Sequence, residues 1–339
     1  MSANGYAGRR EGGPYFDDLS VGQVFDWAPP MTLSSGLAAA HQAIVGDRLR
    51  LALDAVLCTA VTGVAGPLVH PALVCDVAIG QSTLATQRVK ANLFYRGLVF
   101  HGFPVIGDTI YTRTEVVGLR ANSVKPGRAP TGMAVLRMTT IDQADRLVLD
   151  FYRCAMLPAG PDWRPREDRP GDDLSTIGDD AVPPASDPTA RWDGAVFRAR
   201  VPGPHFDAGL TGAVLHSTGD VVSSAPELAR LTLNIAAAHH DSRAGGRRLV
   251  YGGHTIGVAL AQASRLLPNL ATVLGWQSCD HTGPVYEGDT LHSQLHVESA
   301  EPTGDGGVLG IRSLVYARGE AGGEPDRPVL DWRFSALQF

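Results

Sequence analysis

The feature that most constrains this chain is that it matches itself. Residues His101–Gly118, "HGFPVIGDTIYTRTEVVG", run parallel in chemistry to His281–Ser299, "HTGPVYEGDTLHSQLHVES". Each stretch has a histidine, then Pro-Val, then a Gly-Asp-Thr turn, then an apolar-polar alternation that predicts a strand. Upstream, "LVHPALVCDVAIGQST" from Leu68 faces "LVYGGHTIGVALAQAS" from Leu249, and both read as an apolar lead-in followed by a helix with small residues on several faces. Further upstream, "DRLRLALD" (Asp47–Asp54) faces "NIAAAHHD" (Asn234–Asp241), with the final aspartate seven positions on in both. The openings "FDDLSVGQVF" from Phe16 and "FDAGLTGAVL" from Phe206 also agree. A duplicated unit must fold twice, so the chain is predicted to be a pseudo-symmetric pair.

Each copy reads as an opening strand, a helical stretch, a polar loop, a long central helix and then several strands joined by hairpin turns. A sheet that wraps one helix is an α+β layer, and a second copy can cover the edge that a single layer leaves open. The predicted boundaries are an N-terminal unit over 14–157, a connecting segment over 158–191 and a C-terminal unit over 192–339. The connecting segment "PAGPDWRPREDRPGDDLSTIGDDAVPPASDPTAR" is dense in Pro, Asp, Gly and Ser without apolar periodicity, so it is a linker or a wrapping arm.

Composition narrows the function. The 339 residues carry a formal net charge of −6, and Lys and Arg never run beyond adjacent pairs, which argues against nucleic acid or a membrane surface as partner. No apolar stretch reaches the length of a bilayer span, and the start "MSANGYAGRREGG" lacks the apolar core of a signal peptide, so a cytoplasmic location is expected. Cys58, Cys75, Cys154 and Cys279 are widely spaced among apolar neighbours, as expected of reduced core thiols.

In order and repetition these motifs resemble the MaoC-like dehydratases, the (R)-specific enoyl-CoA hydratases, here as a tandem (double) hotdog chain of the mesaconyl-CoA (2-methylfumaryl-CoA) hydratase type. The resemblance covers nearly all the chain apart from the first dozen residues and the linker. It implies a hydro-lyase adding water to, or removing it from, an acyl thioester of CoA or a carrier protein. It implies no cofactor beyond the thioester carried by the substrate, and a further pairing into a homodimer. The family's polar loop reads Asp-x-Asn-Pro-x-His-x-Asp, with the first Asp and the His acting on water. The second half keeps His239 and Asp241 but has Asn234 where the first Asp belongs. The first half keeps Asp47 and Asp54 but has Ala52 at the histidine position.

Hydration of an enoyl thioester needs a base for water, a proton for Cα and donors for the enolate oxygen. Under this resemblance His239 is the base, Asn234 positions the water, and a backbone amide of Gly252 or Gly253 at the helix start serves the oxygen. The first half has Pro71 and Ala72 at those places, and proline has no N–H, so the second half is the expected catalytic unit and the first the substrate-cradling one. Tyr251, Asp241, His254, Arg247 and Arg248 are the expected substrate-binding residues, the arginines for a CoA phosphate or a carboxylate on the acyl group. A metal site from His239, His240, His254 and His281 ranks low, since the spacing holds no helical His-x-x-x-His pair. A non-catalytic thioester-binding module and a hotdog thioesterase are the rival readings.

Overall fold

The computed structural model describes residues 12–164, 171–244, 247–319 and 325–339. The start of the chain, part of the linker (165–170) and residues 245–246 of the polar loop lie outside that range.

Short strands β1 (Val24–Phe25) and β2 (Met31–Thr32) precede helices α1 (Ser35–Val45), α2 (Arg50–Leu53), α3 (Ala55–Thr62) and α4 (Pro71–Gln81). Four long strands follow: β3 (Ala91–Phe100), β4 (Thr109–Ala121), β5 (Thr131–Asp142) and β6 (Leu147–Pro158). After α5 (Gly194–Arg200) the pattern recurs as β7 (Val214–His216), β8 (Asp220–Val221), α6 (Ala225–Leu231), α7 (Ala237–His240) and α8 (Gly252–Leu266). It closes with β9 (Leu270–His281), β10 (Thr290–Thr303), β11 (Gly306–Arg318) and β12 (Arg327–Gln338).

All strands join one antiparallel sheet in the order β1, β4, β5, β6, β3, β9, β12, β11, β10, β7, with β2 on β4 and β8 on β10. The order reads as β4-β5-β6-β3 mirrored by β10-β11-β12-β9, which is the signature of the duplication. The seam is the pairing of β3 with β9, where Phe94 faces Asp280 and Val99 faces Gly275. Each copy thereby closes the other's open edge, the outcome expected of a tandem α+β hotdog.

The two central helices form the core between them. Every residue of α4 is buried, so it has no polar face. Buried α8 residues join the same apolar cluster as Leu73, Val77 and Ile79 of α4. Small residues set the spacing: a Cβ on Gly257 would lie 2.9 Å from the Val45 side chain of α1. Gln81 and Gln262 occupy matching places and donate to the Ile110 and Leu291 carbonyls at the start of β4 and β10. These bonds pin each helix to its own sheet in the same way.

The described part of the linker lies along the outer face of the first sheet. Leu174 and Ile177 pack on Val135 and Tyr152, and the Tyr152 hydroxyl donates to Asp180 at 2.9 Å. Among the described residues no helix is long and apolar enough to cross a membrane. The four cysteines are buried free thiols.

Candidate active site

The polar loop of the second half is held by the first half. Gly80, near the end of α4, lies so close to the Thr232 carbonyl that a Cβ would sit 1.6 Å from its oxygen. Beyond it, the Thr83 hydroxyl accepts from the Ile235 amide at 3.1 Å, and the Gln87 carbonyl accepts from the Ala237 amide at 3.1 Å. Between these anchors Leu233 sits at φ 61°, a left-handed conformation that leucine rarely adopts. Strain of this kind persists only where the surroundings over-determine the backbone, and here they fix Asn234.

Asn234 and His239 both line a buried cavity of about 220 Å³. Asn234 Oδ1 accepts from the Ala236 amide at 3.0 Å. Its first-half counterpart Asp47 accepts from Leu49 at 2.9 Å, so the duplication is preserved down to this side-chain bond. His239, 7% exposed, has Nδ1 2.9 Å from the Leu249 carbonyl oxygen. A carbonyl can only accept, so Nδ1 carries the proton and Nε2 keeps its lone pair. Burial lowers the His239 pKa to about 4, against the opposing effect of the Leu249 bond, and the ring is therefore neutral at pH 7.

The start of α8 completes this wall. Tyr251 precedes the helix, Gly252 is its first residue, and no side chain caps it. The first amides of a helix have no intrahelical acceptor and carry the positive end of its dipole. Gly252 lies on the cavity beside His281, whose Nε2 would be 2.7 Å from a Cβ at that position. His281 is likewise lowered to about 4 by burial, and its Nε2 has no hydrogen-bond partner. Its ring meets Tyr95 edge-on at 5.9 Å.

Several sequence expectations are corrected here. Gly253 is not on the cavity; a Cβ there would strike Asp76 Oδ1 and the Tyr251 ring, so packing of α8 against α4 explains this glycine. His254 is fully buried away from the cavity, with both ring nitrogens unpartnered, and burial lowers it to about 4. Asp241 is not on the cavity either: it closes the turn that follows it, accepting from the Arg243 amide and guanidinium at the surface, which holds its carboxyl below the usual range. Arg248 pairs with Glu287 at 2.6 Å, and Arg247 lies 4.0 Å over the Tyr286 ring. Neither arginine reaches the cavity; Arg247 and Asp241 instead line an outer groove with Arg88, Lys90 and His240. That groove shares Val89, Lys90, Leu249 and Pro284 with the cavity, which marks its mouth. His240 Nε2 lies 2.6 Å from the Asn234 carbonyl, and among the described residues no group of three or more His, Cys, Asp or Glu is gathered for a metal.

Asp47 does not join His239. It lies 2.7 Å from His70 Nε2 and borders a separate groove with Arg48, Arg50 and Arg200. Burial opposes its charge, but His70 and the Leu49 amide outweigh burial and keep its carboxyl below the ordinary value.

No protein-family model matches the chain. Among solved structures, RV0216 of Mycobacterium tuberculosis, a conserved hypothetical protein with a double hotdog fold, is 79% identical, with a TM-score of 0.94 over 98% of this chain and 100% of that one. The chain belongs to the double-hotdog proteins. Two curated relatives extend over most of this double-hotdog chain. The beta-methylmalyl-CoA dehydratase of Chloroflexus aurantiacus is 28% identical, covering 95% of this chain and 91% of its own length. The mesaconyl-CoA hydratase of Cereibacter sphaeroides is 26% identical, covering 90% and 89%.

The double-hotdog frame also shows what sequence reasoning missed. The cavity wall is shared: β3 supplies Asn92 and Tyr95, and β6 supplies Arg153, all from the first half. The one sequence signal for Arg153 is a charge amid the apolar run "FYRCAML".

Proposed function

We propose that this protein is a hydro-lyase that reversibly adds water across the α,β double bond of an acyl-CoA thioester with a small, mesaconyl-like acyl group. The observation that carries the reading is the neutral His239, its Nε2 left as an acceptor, on one cavity with the uncapped start of α8.

In this mechanism the thioester carbonyl oxygen lies at the Gly252 amide and the pantetheine arm leaves past Val89 and Leu249 into the outer groove. Asn234 holds a water by its side-chain amide. His239 Nε2 takes a proton from that water as its oxygen bonds to Cβ. The π pair moves toward the thioester oxygen, where the helix start stabilises the enolate. The imidazolium then returns the proton to Cα, so one water is added and His239 is neutral again. Water and the thioester alone balance the reaction. Dehydration is the same path reversed.

The first half serves as the cradle in this reading, since it anchors the loop and lines the acyl end of the cavity. A carrier-protein thioester is the alternative donor. A cytoplasmic location is in keeping with the buried free thiols, and a homodimer is expected from the resemblance. The test is a panel of enoyl-CoAs followed by loss of conjugated-thioester absorbance and a mass gain of one water. Turnover by the wild type that His239→Ala abolishes is the expected result; release of free thiol instead would make the protein a thioesterase.

A further inference from the structure

Arg153 is 3% exposed, yet its guanidinium meets only neutral partners. Nε donates to Asn92 Oδ1 at 2.9 Å, one terminal nitrogen to Ser82 Oγ at 2.6 Å and the other to Thr86 Oγ1 at 2.8 Å. Other arginines bordering these sheets have carboxylates: Arg137 with Asp150, Arg312 with Asp331, Arg327 with Asp289. Among the described residues none pairs with Arg153. Asp76 shares its neighbours Tyr95 and Tyr251, but the basic side chain within reach of its carboxyl is His41, with Nε2 at 3.4 Å.

Burying an ion without a counter-charge is strongly unfavourable. A guanidinium has five N–H groups in a planar fork, so after those bonds one remains on each terminal nitrogen. Two such donors suit a carboxylate. The position excludes the CoA phosphates as the intended anion: Arg153 lines the inner cavity and is absent from the groove beyond the mouth, where Arg88, Lys90 and Arg247 stand.

We propose that Arg153 is the specificity-determining residue of this site, the side chain that reads the free carboxylate by which a mesaconyl-like acyl group differs from a neutral one. The proposal rests on the hydro-lyase reading for the reaction, but not for the binding it predicts. Three neutral hydrogen-bonding side chains orient the fork, and the substrate supplies the missing negative charge. A neutral acyl group of equal length leaves the cation unpaired.

Two measurements separate the ideas. The first is calorimetric binding of the unreactive pair succinyl-CoA and butyryl-CoA to wild type, Arg153→Met and Arg153→Lys. Wild type should prefer succinyl-CoA by about 10- to 100-fold, the range of a hydrogen-bonded charge pair. Arg153→Met should erase the preference and Arg153→Lys should keep part of it, with circular dichroism confirming that both variants fold. The second is hydration of mesaconyl-CoA against crotonyl-CoA, where Arg153→Met should lower kcat/KM for the first at least tenfold more than for the second. Equal binding of succinyl- and butyryl-CoA by wild type overturns the proposal, and so does an equal loss on both enoyl substrates, which would place Arg153 at the thioester oxygen. If wild type hydrates neither substrate yet still prefers succinyl-CoA, the hydro-lyase reading fails and the carboxylate site stands.

Discussion

His239 Nδ1 and the Leu249 carbonyl oxygen lie 2.9 Å apart, which ties the polar loop to the segment that leads into α8. One bond thus sets the tautomer of the candidate base and its distance from the helix start. Removing a positioned base costs about 10²- to 10⁴-fold, so His239→Ala should lower kcat by that order with little change in folding. Because burial already lowers this histidine to about 4, kcat/KM should stay flat from pH 8 to 6 and fall only on approaching pH 4. An acid limb at pH 6.5 would mean that a solvated histidine is the base instead.

Asn234 and Asp47 accept the amide two residues on in the same manner, from Ala236 and Leu49. An aspartate at 234 can therefore keep the bond and add a proton acceptor. Asn234→Asp is expected to raise kcat about tenfold or more, as read by initial rates of hydration. A fall in kcat would show that the amide N–H groups are what the water needs.

Gly80→Ala should be among the most damaging small substitutions, because its Cβ would lie 1.6 Å from the Thr232 oxygen and 3.1 Å from the Asn234 nitrogen. Both are backbone atoms in the strained loop, so relief requires moving the site. A loss of about 3 kcal/mol or more is expected by urea unfolding, above the usual range for overpacking. Gly252→Ala, whose Cβ meets the His281 ring, should cost less stability and show mainly as lost turnover.

His239, His254 and His281 are each held near 4 in the folded chain, chiefly by burial, whereas an unfolded histidine titrates near 6.5. Between those values the unfolded state binds more protons, so stability rises with pH across the window. Their contribution is complete above about pH 6.5 and is lost as pH falls toward 4. If all three titrate, the slope within the window is about 4 kcal/mol per pH unit. Urea midpoints from pH 7 to 4.5 should show it, and His281→Gln should flatten it by one proton.

Much of this molecule was legible in one dimension. The paired motifs at His101 and His281 determined a duplicated α+β unit, because hydrophobic periodicity and turn chemistry are local and survive in each copy. The same comparison found His239, Asn234 and Gly252, since a polar loop before a glycine-started helix is a contiguous feature. Tertiary structure decided the rest. That Gly253 faces Asp76 while Gly252 faces the cavity depends on how α8 lies on α4, which no spacing encodes. That Asp241 turns to Arg243, and Arg248 to Glu287, is settled by competition among nearby charges. Arg153 is the clearest case: the sequence shows only a charge within an apolar run, and only the packing of β6 over Ser82, Thr86 and Asn92 buries it beside the loop of the other half. The part of the site that one copy lends to the other has no such signature, because the contact that makes it joins residues far apart in the chain.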